Sequence, residues 1–455
     1  MGLTPWQKEL VAAGELYHVG GAVRNQMMGT AGADDEVDYL VRGLPPKDLE
    51  RILQRHGRLV LVGKSFGVYK FKPRRGKGDI DIAYPRTEIS TGTGHRDFRV
   101  RWDWKLGVEA DLGRRDFTIN AIARSLNDGR IIDPCGGADD IKRRILRMVF
   151  PDAFREDPLR ILRGVRFATR FSLEIDDTTL EAMKESAQLV DTLSAERVQD
   201  ELNKLLTQCD RPSDGFSLMH TIGVLAHILP ELQRGVGVTQ NEFHPDDVFW
   251  HSVKSCDHAP KDNLIVRWAA LLHDLGKVDM KQVVEEEGKE PKTVFYRHEQ
   301  ESATIASDVL KRLRYSNDFV KRCVHLVESH MFFYREEWSR GTVRRFIRRI
   351  GEENLDDLFD LRRADCRSRD EDDKVGKLAE LRARIDVEIY EEKAFKLSDL
   401  AIDGGDVKEV LGIEEGPEIG RILREVFEMV LDAPGLNTRE TLRGILSEKY
   451  GRREQ

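Results

Sequence analysis

The stretch His18-Val19-Gly20-Gly21-Ala22-Val23-Arg24-Asn25, followed by Asp34-Asp35-Glu36-Val37-Asp38-Tyr39-Leu40-Val41, decides the fold. A short apolar segment ends in two glycines, whose missing Cβ lets a ligand approach the backbone closely. A short helix is predicted from Asn25 onward, and a helix start presents N–H groups suited to phosphate. In Glu36-Val37-Asp38 a period of two puts both carboxylates on one face of a strand. Carboxylates held side by side repel unless a cation lies between them, and oxygen ligands beside a phosphate point to Mg²⁺. The chemistry this suggests is metal-dependent nucleotidyl transfer. The competing reading is a glycine turn followed by a solvated acidic loop.

The whole chain has 455 residues, 34% charged and 40% hydrophobic, with a net charge of −8. That length accommodates several domains with substantial cores. No apolar run reaches membrane-span length, and Met1-Gly2-Leu3-Thr4-Pro5-Trp6 lacks the basic and apolar regions of a secretory signal. Trp6 stands where a myristoylation signal wants Ser or Thr. Five scattered cysteines without CxxC spacing suggest reduced thiols and a cytoplasmic protein. The acidic balance excludes a generic nucleic-acid coat but leaves room for local basic patches, such as Arg143-Arg144-Ile145-Leu146-Arg147 and Arg340-Gly341-Thr342-Val343-Arg344-Arg345-Phe346.

Strand and helix signals mix up to about residue 147. Strands are predicted at Leu59–Val62, Gly67–Phe71 and Asp79–Ala83. Asp79 and Asp81 share one strand face, so either could add a carboxylate to the Glu36/Asp38 pair. Gly63-Lys64-Ser65 forms a second turn, in which backbone N–H groups and Ser65 Oγ could hold a triphosphate. Beyond Pro151 the pattern is helical: Leu159–Phe171, Leu180–Leu193 and Ala195–Leu206, then a histidine-rich helical block, then a charged helical end broken at Gly404-Gly405.

Four motifs follow one another: Gly20-Gly21-x-x-Arg24, Glu36-x-Asp38, Arg114-Arg115-Asp116-Phe117-Thr118-x-Asn120-Ala121 and Glu156-Asp157-Pro158-Leu159-Arg160. Ser194-Ala195-Glu196-Arg197-Val198 with Glu201 extends the series. In this order they resemble the bacterial class II tRNA nucleotidyltransferases and their poly(A) polymerase relatives, over roughly residues 17–206. The resemblance implies an α+β protein: a polymerase-β-like nucleotidyltransferase head with a small mixed sheet, then all-α neck/body, HD and tail domains. The implied divisions are 1–147 (head), 148–240 (nucleotide-recognition neck and RNA-binding body), 241–370 (HD) and 371–455 (tail).

By the same resemblance Glu36 and Asp38 are the catalytic Mg²⁺ ligands, and Gly21 and Arg24 bind the triphosphate. Arg115, Arg163 and Arg166 are further nucleotide contacts. Asp157 and Arg160, three apart on one predicted helix face, act as a protein template for the incoming CTP or ATP. A carboxylate accepts from an exocyclic amine, and a guanidinium donates to ring nitrogen or carbonyl. The family has Asp where this chain has Glu36. The loop from Arg86 through His95-Arg96-Asp97 lies where the family has its element switching C to A addition.

A second constellation comprises His251, His273-Asp274-Leu275-Gly276-Lys277, His298, His330 and Asp365. Histidine and aspartate from separate helices suit a divalent transition metal. The pattern resembles an HD-domain phosphohydrolase, which implies His251, His273, Asp274 and Asp365 as ligands of Ni²⁺, Mn²⁺ or Mg²⁺, with His298 and His330 lining the pocket. The expected activity is CCA addition to tRNA, with CC-adding, A-adding and poly(A) polymerase alternatives. The short mixed end Gly451-Arg452-Arg453-Glu454-Gln455 disfavours the last. A remoter reading is an HD phosphohydrolase with an inactive, RNA-docking head. The expected partners are tRNA, ATP and CTP, with no membrane and no obligate protein partner.

Overall fold

Strand β1 (Glu15–Val19) belongs to a seven-stranded sheet whose centre is β2 (Asp38–Arg42), with β3 (Gly57–Val62), β4 (Val68–Pro73), β5 (Ile80–Ala83), β8 (Ala123–Ser125) and β9 (Ile131–Ile132). The order is β3-β4-β5-β2-β1-β8-β9, and β6 (Arg86–Ser90) with β7 (Phe98–Trp102) forms a separate hairpin. This computed structural model describes residues 2–30, 32, 37–62, 67–75, 78–90, 98–241, 245–285, 291–391 and 396–451. Every neighbouring pair in the sheet is antiparallel except β2 and β5.

Alternation along the strands builds two cores. Leu16, Tyr39, Val41, Phe71 and Ile82 face Trp6, Leu10, Leu49 and Leu53 on one side of the sheet. Tyr17, Val19 and Leu40 face Val108 and Leu112 on the other. The predicted helix after the glycines runs Gly21–Met28, starting before Asn25. Gly20 adopts φ +67°, and Arg24 N–H donates to its carbonyl to close the first turn.

The chain folds into two units, residues 1–233 with 312–314, and 234–311 with 315–455. In the first, the helix Leu159–Phe171 buries nine residues and packs against Ala195–Gln208. Phe117 lies beneath it, edge-on to Phe167 with ring centres 6.0 Å apart. Burial of such a ring contributes about 2–3 kcal/mol. The helix predicted over Leu180–Leu193 is two elements, Asp177–Glu185 and a 3-10 segment Ala187–Thr192. Asp176 accepts from Thr179 N–H, which fixes the earlier start.

In the second unit the apolar helix Leu264–Leu272 is buried on most of its circumference by Val248–His258, Asn317–Ser329 and Leu355–Ser368. Residues beyond Leu400 build a core of their own around Val407, Val426, Phe427, Leu442 and Leu446. The expected break at Gly404-Gly405 is instead the start of the helix Gly404–Leu411, because Asp403 caps it by accepting from Gly405 and Asp406 N–H.

Neither basic stretch is a free cationic surface. Arg344 pairs with Glu388, while Arg345 and Arg348 both reach Glu428. Arg147 pairs with Asp140 and Asp176, and Arg144 donates to the carbonyls of Phe171 and Ser172. These arginines hold elements together. Among the described residues no helix is long and apolar enough to cross a membrane, and no disulfide joins any of the five cysteines.

Candidate active sites and family

The first site is a cleft of about 700 Å³ in the first unit, with Gly20, Gly21 and Asp38 on the sheet side and the Leu159–Phe171 arginines opposite. A Cβ on Gly20 would lie 2.5 Å from Arg115 Nη1, so glycine permits the arginine to lie across the turn. Arg115 is itself anchored by Asp111 at 3.1 Å.

Asp38 begins β2 and lines the cleft. Its parallel neighbour is set by register: Tyr39 pairs with Ile82 and Leu40 with Ala83, which places Asp81 beside Asp38. Tyr39 and Ile82 are buried in the core, so Asp38 and Asp81 point together from the opposite face. Adjacent strands lie about 4.8 Å apart, a separation that one divalent cation can bridge with oxygen ligands. Lys70 flanks Asp81 on its other side. Glu36, Ser65 and residues 91–97 lie outside the described residues.

Arg24 is buried, and its guanidinium donates to Asn25 Oδ1 and Asn120 Oδ1. It lies 4.9 Å and 4.7 Å from the Phe167 and Phe171 ring centres. Burial lowers its pKa to about 10, opposed by Asp116 and helped by Arg170, Arg166 and Arg163. Asp116 completes this network, accepting from Asn120 Nδ2 at 2.9 Å and Arg163 Nη2 at 2.6 Å. Burial works against its ionisation, but Arg163, Asn120 and Phe117 N–H outweigh it and hold the carboxyl at about 2.

Asp157 sits just ahead of the helix, not within it as its spacing from Arg160 suggested, because Pro158 is the N-cap. Arg160 is buried in the first turn and donates to the carbonyls of Ala153 and Arg114. Arg166 pairs with Glu201 at 2.7 Å in a fully buried ion pair. The cleft therefore brings Gly21, Arg24, Arg115, Asp157, Arg160, Arg163 and Arg166 together. Sequence reasoning passed over Asn25, Asp116 and Asn120, although Asp116 and Asn120 stand inside a quoted motif.

The second site is a buried cluster in the second unit. His251 Nε2 lies 3.0 Å from Asp274 Oδ2, 3.3 Å from Asp365 Oδ1 and 3.2 Å from His273 Nε2. On the other side Asp274 Oδ1 lies 3.2 Å from His298 Nε2 and 3.5 Å from His330 Nε2. Two three-residue groups thus share Asp274. A Cβ at Gly276 would collide with the His298 carbonyl, so this glycine lets the His273-Asp274 turn approach the other helix.

Hydrogen bonds from the outer ring nitrogens fix which nitrogen of each histidine faces the cluster. The Nδ1 atoms of His273, His298 and His330 face the carbonyls of Ala270, Phe295 and Val327 at 2.7–2.8 Å. Ser368 donates its proton to Asp365 O, so its oxygen accepts from His251 Nδ1. Each Nδ1 therefore carries hydrogen and each Nε2 faces inward, where the neutral ring would offer its lone pair. The Nε2 atoms of His298 and His330 are buried without a hydrogen-bond partner, although both face Asp274. Atoms bound to one cation about 2.1 Å away stand about 3–3.4 Å from each other, which matches the first group.

Burial lowers His330 to about 4, keeping it neutral. Burial also works against a charge on His273, but Asp274 and Asp365 outweigh it and raise His273 to about 9. Such a site draws positive charge, which a proton or a metal can supply. Lys277 adds an ammonium 2.6 Å from Asp274 Oδ2 and 2.7 Å from Gln240 Oε1. Arg369 holds the outer oxygen of Asp365 at 3.0 Å, joined by Arg362.

Residues 16–147 match the poly A polymerase head domain family, 172–235 the probable RNA and SrmB-binding site of polymerase A, and 220–370 the HD domain. A multifunctional CCA protein of Cupriavidus pinatubonensis (strain JMP 134 / LMG 1197) is 34% identical over 434 residues, 91% of this chain and 96% of that protein. An A-adding tRNA nucleotidyltransferase of Deinococcus radiodurans is 36% identical over 336 residues, 70% of this chain and 75% of that protein. The fold is shared with the Bacillus stearothermophilus CCA-adding enzyme in complex with CTP, at TM-score 0.69, 24% identity and 98% coverage of both chains. The chain belongs to the multifunctional CCA protein family of tRNA nucleotidyltransferases, and it carries an HD domain.

Proposed function

We propose that this chain is a cytoplasmic CCA-adding enzyme, joining CMP and AMP to tRNA 3′ ends with release of pyrophosphate. The observation that supports this most directly is Asp38 at the wall of an arginine-lined cleft, with Asp81 beside it on the adjacent strand. With Glu36 they would hold Mg²⁺, which when bound lowers the cost of charge developing at the α-phosphate. Gly20, Gly21 and Arg115 would receive the triphosphate. Asp157 would accept from the exocyclic amine that C and A share in position, and Arg160 would donate beside it. Attack by the RNA 3′-oxygen in line with the leaving pyrophosphate needs that alignment more than any covalent help.

The same reading divides the chain into head (1–147), neck and body (148–240), HD domain (241–370) and tail (371–455). In the HD domain, His251, His273, Asp274 and Asp365 would hold one divalent cation. His298, His330 and the second oxygen of Asp274 would hold another. Such cations supply an activated water for phosphoester hydrolysis. Ni²⁺, Mn²⁺ and Mg²⁺ all suit this nitrogen and oxygen set.

The test is extension of a tRNA lacking its terminal CCA, with Mg²⁺, CTP and ATP. Addition of all three nucleotides supports the proposal. Addition of A alone to a tRNA already ending in CC would replace it with the A-adding activity, and no extension of either tRNA would overturn it.

A further inference from the structure

Two aromatic side chains stand in solvent beside the buried histidines. Tyr296 is 64% exposed and Phe333 is 67% exposed. Tyr296 lies two residues before His298, so their Cα atoms are at most about 7 Å apart; Phe333, three after His330, lies within about 11 Å of it. The His298 and His330 rings are 5.4 Å apart. Two separate loops therefore each carry an exposed aromatic within three residues of a histidine that faces Asp274 Oδ1.

The backbone explains this placement. Arg297 adopts φ +59°, a left-handed conformation uncommon outside glycine. It turns the chain so that His298 is buried while Tyr296 and Arg297 face outward. In the other loop Phe332 is buried against Phe346, with ring centres 5.1 Å apart. Alternation then leaves Met331 and Phe333 exposed on either side of it. The loop is held in place, since Arg384 donates to Tyr334 Oη and to the carbonyls of Glu336 and Trp338. Exposed Arg297 and Arg335 each lie within two residues of one aromatic.

Aromatic faces beside guanidinium groups suit the bases and phosphates of a single strand. We propose that Tyr296 and Phe333 form a base-stacking rim through which the HD site receives the end of a single-stranded RNA in preference to a free nucleotide. This rests on the phosphohydrolase reading of that site. For an RNA ending in a 2′,3′-cyclic phosphate, water oxygen bonds to phosphorus and one ribose P–O bond breaks. The released ribose oxygen takes a proton from that water.

The test compares full-length wild type, Tyr296→Ala, Phe333→Ala, the double variant and Tyr296→Phe, with Ni²⁺, Mn²⁺ or Mg²⁺ supplied. Substrates are 2′,3′-cyclic AMP and a short oligoribonucleotide ending in 2′,3′-cyclic phosphate. Loss of stacking should raise KM for the oligonucleotide on the order of tenfold in the double variant. The rise should be smaller for the mononucleotide, and Tyr296→Phe should retain the wild-type preference. Equal KM for the two substrates in wild type, or the same shift for both in the variants, would overturn the rim. A wild type inactive on both substrates with every metal would instead remove the phosphohydrolase reading, and the rim with it.

Discussion

Arg197 donates one guanidinium nitrogen to both carboxylate oxygens of Asp157, at 3.0 Å each. Asp157 Oδ1 also accepts from Leu159 N–H at 3.2 Å. The carboxylate proposed to read the base is thus oriented from two elements, the arginine helix and the helix Ala195–Gln208. A hydrogen bond to a charged group contributes about 1.5–3 kcal/mol. Arg197→Ala should therefore raise KM for CTP and ATP on the order of tenfold and increase misincorporation of UTP and GTP. Arg197→Lys should recover only part of this, since the shorter lysine places a single, strongly hydrated ammonium short of the Nη2 position. Steady-state kinetics with each nucleotide checks both; an Ala variant with wild-type KM and fidelity would show that Asp157 needs no such orientation.

Asp81 gives the second prediction. Its register beside Asp38 makes it a metal ligand in the proposed site, not a solvated edge charge. Asp81→Asn keeps the shape and removes the charge. It should lower kcat on the order of a hundredfold and raise the Mg²⁺ concentration needed for half-maximal rate. Normal Mg²⁺ dependence in that variant would return the ligand role to Glu36 and Asp38 alone.

What could be read from the chain follows from how local each signal is. Gly20, Asp38 and the Leu159–Phe171 periodicity lie within short windows, so turn, carboxylate and helix were all legible. The Asp38–Asp81 pairing was only an option, because a parallel register between strands separated by two others leaves no local mark. The basic stretches misled for the same reason. Arg344 and Arg345 look like a cationic face until Glu388 and Glu428, far along the chain, are folded against them. His298 and His330 were placed in the HD pocket, but only their inward lone pairs show a second group around Asp274.

That second group predicts a metal count. Wild-type protein dialysed against Mn²⁺ and then buffer should retain about two cations per chain in the HD domain, and His298→Ala or His330→Ala about one. Asp274→Asn, which weakens the shared ligand, should retain less than either. Elemental analysis reads this without any enzymatic assay. Identical metal content in wild type and His298→Ala would leave a single-cation site.

Asp116 predicts a pH dependence whose sign follows from its depressed pKa. Its value is 3.8 as a free side chain and about 2 in the fold. The stabilisation it confers is fully present above 3.8 and is lost as pH falls toward 2, and it amounts to ~2 kcal/mol. Asp116→Asn should thus lower the unfolding temperature at pH 6, with the gap from wild type narrowing below pH 4. A gap constant down to pH 3 would assign the loss to packing and to the stranded Arg163.

The buried pair Arg344–Glu388 makes the sharpest stability prediction. Both side chains are nearly inaccessible, joined at 2.7 Å, and Arg344 also donates to Leu431 O at 2.8 Å. That last bond ties the helix Arg340–Ile350 to the end of Pro417–Asp432. Removing one partner strands a buried charge, which costs about 3–5 kcal/mol, whereas replacing both with apolar residues of similar volume is often neutral. Glu388→Ala should strongly destabilise the second unit. Arg344→Met with Glu388→Leu should recover most of the loss, provided Leu431 O finds water. Chemical denaturation of the three proteins decides between an ion pair that stabilises the unit outright and one that merely must not be broken; a double variant as weak as Glu388→Ala would establish the former.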